Sequence, residues 1–244
     1  MIEKGFTIDL PPHGYVRYID HMGDDTRIVE AARVSYGAGS KGEEADKKLL
    51  KYLFTHRHTS PFEQGIVAFN IKMPVFVMRQ LVRHRTFRLN EFSGRYSEMP
   101  DQFYVPEVWR IQNTKNKQGS LPPRVMDSHE MAEWQELCTK VLEDSYADAY
   151  DAYNSLLKYG VAKEMARFVL PVGIYTEIYM NVDLHNLMHF FNLRTDSHAQ
   201  KEIRDVAWAM VQITENLFPW SIDLWSRYGM AVVSGGKGGD AAQT

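Results

Sequence analysis

Between positions 79 and 95 the chain gathers five arginines (Arg79, Arg83, Arg85, Arg88 and Arg95), one histidine (His84), one asparagine (Asn90) and two hydroxyls (Thr86 and Ser93) around a single carboxylate, Glu91. Guanidinium groups are planar, permanently charged donor forks. At this density they repel one another unless they splay into water or are neutralised by phosphates or carboxylates. The whole chain carries 28 Lys plus Arg against 31 Asp plus Glu, a net charge of -3, so the excess is local. A local excess fits a compact anionic ligand better than the broad basic face of a general nucleic-acid binder. Asn90, Glu91, Ser93 and Gly94 add acceptors and a pliant backbone suited to reading the edge of a base or a flavin.

Such a segment needs rigid elements to present it. Upstream, residues 64–73 alternate like a strand, with Val67, Phe69, Ile71 and Met73 on one side. Pro74 then opens a helix whose buried stripe is Val75, Phe76, Met78, Leu81 and Val82, leaving Arg79 and Arg83 one turn apart. The Arg-rich motif therefore leaves the end of an anchored helix. Before it, Asp24 or Asp25 caps a helix with Ile28, Ala31, Ala32 and Val34 on one face, and residues 43–55 form a second helix.

Residues 100–123 read as a long irregular connection with a strand-like stretch at 103–105, a length that favours a functional loop. Residues 128–159 predict a long amphipathic helix closed by Gly160, with Cys138 inside it as a small buried apolar residue. A short helix over 163–169, a strand over 173–182 and helices over 183–191 and 198–217 follow, the last capped by Asp196 or Ser197. Residues 1–228 read as one domain and 229–244 as a disordered tail.

Cys138 is the only cysteine, which excludes an intrachain disulfide and a cysteine-rich zinc site and suits a reducing cytoplasm. The N-terminal residues lack a signal-peptide pattern and no apolar run reaches membrane length, so the expected location is cytoplasmic. There is no Walker-type phosphate loop and no Gly-x-Gly-x-x-Gly fingerprint, so any dinucleotide must be held in another way. His56 and His58 lack a third metal ligand nearby, and no metal is expected. Asp196, Ser197 and His198 are adjacent in sequence, and adjacency alone does not make a hydrolase triad.

Arg83-His84-Arg85, Asn90-Glu91, Ser93 and Arg95-Tyr96-Ser97, taken together, resemble the signature of the flavin-dependent thymidylate synthases, the ThyX family. His58-Thr59-Ser60-Pro61-Phe62-Glu63, Ala166-Arg167 with Leu170-Pro171, and residues 192–200 look like three further segments of that family in the correct order. One position departs: Arg88 stands where the signature usually has serine.

The resemblance implies an α+β fold with a central, mostly antiparallel sheet flanked by helices, a long-helix excursion and a homotetramer with shared sites. It also implies a methyltransferase of nucleotide biosynthesis that converts dUMP to dTMP, with methylenetetrahydrofolate as carbon donor, FAD as redox cofactor and NADPH as reductant. Matched positions assign dUMP contacts to Gln80, Leu81, Val82, Arg83, Glu91, Phe92, Ser93, Gly94, Arg95, Arg167 and Arg194. They assign flavin contacts to His58, Ser60, Arg83, His84, Arg85, Thr86, Glu91, Asp183, Leu184, His185 and His189. Chemistry at the pyrimidine C5 requires electron density in the ring, either through a covalent adduct at C6 or through the N3 anion. Cys138, with Glu136 nearby and no local cations, suits the first route poorly. Arg194 is the catalytic candidate for the second.

Two other readings share these residues: a folate- and flavin-dependent methylation of uridine in RNA, and a non-catalytic nucleotide- or RNA-binding module that stacks bases on aromatic side chains. The near-neutral charge speaks against both.

Overall fold

The computed structural model describes residues 2–37, 39–114, 119–123 and 128–229. Among these residues lie seven strands: β1 (Thr7–Leu10), β2 (Gly14–Met22), β3 (Ile66–Pro74), β4 (Arg88–Glu91), β5 (Ile111–Gln112), β6 (Ser120–Leu121) and β7 (Tyr175–Asp183). Five of them make one antiparallel sheet in the order β1-β2-β3-β7-β4, and β5 and β6 form a small separate ribbon. The alternation expected for β3 is present: Val67, Phe69, Ile71 and Met73 are buried on one side.

The eight helices are α1 (Asp25–Arg33), α2 (Glu43–Thr55), α3 (Val75–Leu81), α4 (Ser128–Lys158), α5 (Lys163–Ala166), α6 (Leu184–Arg194), α7 (Lys201–Leu217) and α8 (Pro219–Leu224). Helices α3, α6 and α7 pack on the apolar face of the sheet. Across the opposite face the register aligns Arg17, Asn70, Tyr179 and Asn90 in one row. There Asn70 accepts from Tyr15 and Arg17 and donates to Glu177 at 2.9 Å, so its buried amide is satisfied.

Helix α4 belongs to a second, smaller core of Met99, Phe103, Tyr153, Ala166 and Ile174. Its tyrosines pin the segment that follows the Arg-rich motif. Tyr153 Oη accepts from Met99 N, Tyr150 Oη donates to the Met99 carbonyl, and Tyr146 Oη donates to the Tyr104 carbonyl.

Several expectations need correction. Helix α1 ends at Arg33, and Val34 opens a short 3-10 turn with its side chain exposed. Val82 also lies outside the buried stripe of α3, which Val77, Met78 and Leu81 supply. After α3, residues 88–91 pair with β7 as β4, a strand on which the sequence reading was silent. Neither Asp196 nor Ser197 caps α7, which starts at Lys201 with Gln200 as its cap residue; Asp196 instead accepts from His198 N and Nδ1 at 2.8 Å. Cys138 is half-buried, not a core residue. Phe103 makes only an isolated bridge to Ile174. Gly229, placed at the start of the tail, is the buried last residue of a π-turn, and 230–244 lie outside the described residues.

Candidate active site

Helix α6 is the spine of the site. Asp183 caps its first turn by accepting from Asn186 N at 2.9 Å, and Leu184, Leu187, Met188, Phe190 and Phe191 root it in the core. Truncating one such Phe costs about 3–5 kcal/mol, so the helix end is a firm platform. Arg194 occupies its last turn.

Arg194 is half-buried and bonded on one edge. Its Nε donates to His84 Nε2 at 3.1 Å, and Nη2 donates to the Gln80 carbonyl at 3.4 Å. Both partners come from α3 and the turn after it, which Leu81 and Phe87 anchor at either end. Burial and the neighbouring Arg83 work against the Arg194 charge. His84 is held neutral, its pKa pushed down to about 4 by burial first, then by Arg194 and His189. The Gln80 side chain donates to Gln200 Oε1 at 2.6 Å.

Downstream, the Glu91 carboxylate accepts from Thr176 Oγ1 at 2.7 Å, and Phe92 N donates to the Glu177 carbonyl, which fixes the exit of β4. The chain then turns at Ser93, whose carbonyl accepts from the backbone N–H groups of Tyr96 and Ser97. A Cβ on Gly94 would stand 2.7 Å from Met99 Sδ and 3.4 Å from Arg167 Cδ, so any larger residue here would push the Met99 side chain aside. Arg95 Nε donates to Glu164 Oε2 at 3.1 Å, and Arg167 Nε donates to the Glu164 carbonyl at 3.3 Å. Two guanidinium groups thus converge beside Gly94.

Of the five arginines in the motif, Arg95 alone has a carboxylate partner among the described residues. Arg79, Arg83, Arg85 and Arg88 are exposed with no hydrogen bond or ion pair there. That is the arrangement an anionic ligand completes.

The residues assigned to a flavin follow α6. The turn Ser60–Gln64 packs on this helix, and Leu184 N bonds the Gly65 carbonyl at 2.8 Å. His189 faces His84 with ring centroids 6.3 Å apart, and His185 lies one turn before it. His58 stacks on Tyr52 at 5.7 Å. Exposed Ser60, Arg85, Thr86 and His189 form a donor-rich set that fits the phosphates and polar edge of a dinucleotide. Leu81 and Leu184 are fully buried, backbone included, so neither offers surface to a ligand, and their assignment to the binding sites is corrected.

Among the described residues no group of three or more His, Cys, Asp or Glu could hold a metal ion, and no helix is long and apolar enough to cross a membrane. A cavity of about 1040 Å³ lies apart from the arginine motif, between α7, β1 and the 104–123 connection. Its lining includes Val77 of α3 and Ser197 to Gln200, the last of which bonds Gln80. Sequence reasoning missed Thr176, Glu164, Tyr52 and the Gln80–Gln200 pair. Only Glu164 carried a signal, since it lies beside the Ala166-Arg167 segment.

The family model described as thymidylate synthase complementing protein matches residues 17–220. The chain belongs to this family. A flavin-dependent thymidylate synthase of Thermus thermophilus is 48% identical over 218 residues, covering 89% of this chain and 77% of the relative. One from Treponema denticola is 45% identical over 217 residues, covering 88% and 80%. Among solved structures, a UMP/dUMP methylase, PolB, from Streptomyces cacaoi bound with 5-Br dUMP superposes with a TM-score of 0.81 at 31% identity, covering 91% of this chain and 99% of that one. Membership accords with the fold: mixed helices and an antiparallel sheet, with the family's arginine motif on β4 and the turn before it.

Proposed function

We propose that the protein is a flavin-dependent thymidylate synthase that methylates dUMP at C5 to give dTMP. The observation that carries this reading is Arg194, braced on one edge by His84 and the Gln80 carbonyl with Arg83 close by. A fixed, partly desolvated cation can hold the uracil ring as its N3 anion, and that charge raises electron density at C5. Arg95 and Arg167, beside Gly94, take the phosphate, with bidentate contact open to Arg95 once it leaves Glu164. Gln80, Val82, Glu91, Phe92 and Ser93 line the path between these two ends.

The one-carbon unit of methylenetetrahydrofolate stands at the oxidation level of formaldehyde and ends as a methyl group, so two electrons must be supplied. Bound FAD supplies the reducing hydride, with NADPH as its source. Ser60, Arg83–Thr86, Asp183, His185, His189 and, at the edge, His58 are the residues that would hold it. Cys138 has no part in the chemistry. It sits on α4, whose contacts are with the second core and the segment around Trp109.

The same reading includes a homotetramer with sites shared between subunits, in the cytoplasm.

The test is an anaerobic assay of FAD-loaded protein with methylenetetrahydrofolate and NADPH, offered dUMP, UMP or uridine-containing RNA in parallel. Thymidylate formed from dUMP alone supports the reading. Product from UMP would widen it, product only from RNA would replace it, and failure to bind FAD would end it. Sedimentation of the same sample reports the oligomer.

A further inference from the structure

We propose that His84 is a positioning residue for Arg194: as a neutral acceptor it occupies the Nε–Nη2 side of the guanidinium, together with the Gln80 carbonyl, and so commits the Nη1–Nη2 end to the pyrimidine. This rests on the functional reading above and deepens it, since the resemblance assigns His84 to the flavin alone.

The guanidinium has two usable forks. One is the side edge formed by Nε and Nη2, the other the end formed by Nη1 and Nη2. The first is occupied, at 3.1 Å to His84 Nε2 and 3.4 Å to the Gln80 carbonyl. Nη1 has no hydrogen-bond partner among the described residues. What remains is a pair of parallel N–H donors at the tip, a match for the adjacent N3 and carbonyl oxygen of an ionised uracil.

The acceptor itself is locked. The imidazole stacks on Phe87 with ring centroids 5.5 Å apart at 25° and meets Phe190 edge-on at 4.8 Å. Both phenyl rings are core residues and give the imidazole a firm seat. Because an arginine only donates, Nε2 must carry its lone pair and the proton must sit on Nδ1. The charged or titratable groups facing the ring are Arg194 and His189 from α6, with Arg83 from its own turn standing by Arg194. None is a carboxylate, so nothing there favours the imidazolium.

The test uses FAD-loaded protein and reads dUMP affinity by titration in a two-by-two set: wild type, His84→Phe, Arg194→Ala and the double variant. His84→Gln serves as the conservative replacement, because its amide oxygen can accept the same bond. Compared at saturating FAD, we expect His84→Phe to bind dUMP about tenfold or more weakly and to lose kcat, while His84→Gln recovers most of both. In the Arg194→Ala background the His84→Phe change should have no further effect on dUMP binding. Equal losses in both backgrounds, or flavin loss with unchanged dUMP affinity, would overturn the proposal. Should His84→Phe fail to fold, a crystal structure of the wild-type protein with FAD and dUMP decides: Nε on His84 with the tip at the base upholds the assignment, and the side edge turned to the base refutes it. Inactivity of the wild-type enzyme towards dUMP would instead count against the functional reading, whatever the coupling.

Discussion

Arg95 and Glu164 form an ion pair at 3.1 Å, with each side chain about half exposed, directly beside Gly94. An exposed pair of this kind contributes about 0–1 kcal/mol. A charge-assisted bond to a phosphate is worth about 1.5–3 kcal/mol. On the proposed reading a phosphate would displace Glu164, whose carboxylate would then be a placeholder for the nucleotide. Glu164→Gln should bind dUMP a few-fold more tightly, and Arg95→Ala about 10- to 100-fold more weakly, by titration of the flavin-loaded protein. Unchanged affinity in both variants would move the phosphate elsewhere.

Arg194→Ala should keep its fold and its flavin and lose dTMP formation by about 10²- to 10³-fold, the usual cost of removing one preorganised donor at a developing anion. Turnover within a few-fold of wild type would exclude Arg194 from the chemistry.

Cys138→Ala should turn over dUMP within about twofold of wild type. The thiol is half-buried on α4, and the hydroxyls that tie this helix to residues 99–104 belong to its tyrosines. Loss of activity in a folded oligomer would restore a covalent route.

His84 also sets a pH dependence of stability. The unfolded chain takes up this proton near the ordinary value of 6.5 and the folded chain only at about 4. Between these values the unfolded state binds more protons, so stability falls as pH is lowered from 6.5 towards 4 and the contribution is complete above 6.5. Urea unfolding of wild type and His84→Gln across this window should give a smaller slope for the variant. Parallel curves would show that His84 titrates normally.

Arg88→Ser should leave FAD and dUMP affinity within about twofold. The Arg88 side chain is exposed, in a strand position opposite Asn181, and makes no hydrogen bond or ion pair among the described residues. A collapse of either affinity, measured by the same titrations, would reveal a private contact.

Legibility in the sequence followed the strength of local signals. The faces of β3 and the bounds of α2 could be read from periodicity, because a central strand and a helix that buries one stripe leave unambiguous patterns. Strands β1 and β2 were not read, since Pro11, Pro12 and Gly14 interrupt them and the polar row containing Arg17 blurs the alternation. Strand β4 is short and wholly exposed, and its existence is decided by the edge of β7 rather than by its own composition. At the site, the arginine cluster announced an anion. The brace on Arg194, by contrast, joins residues 110 and 114 positions apart and has no local trace. Thr176 under Glu91, 85 positions away, is hidden for the same reason.

Strand β4 pairs on one side only and ends the sheet after four residues. An unpaired strand margin offers a template on which further chains can zip up, and proteins blunt such margins with brevity and charge. Arg88 and Glu91 do so here. Opposite charges at the two ends of so short a strand keep the margin open to water, and a second copy of the chain finds there neither the length nor the apolar surface on which a stack of strands would grow.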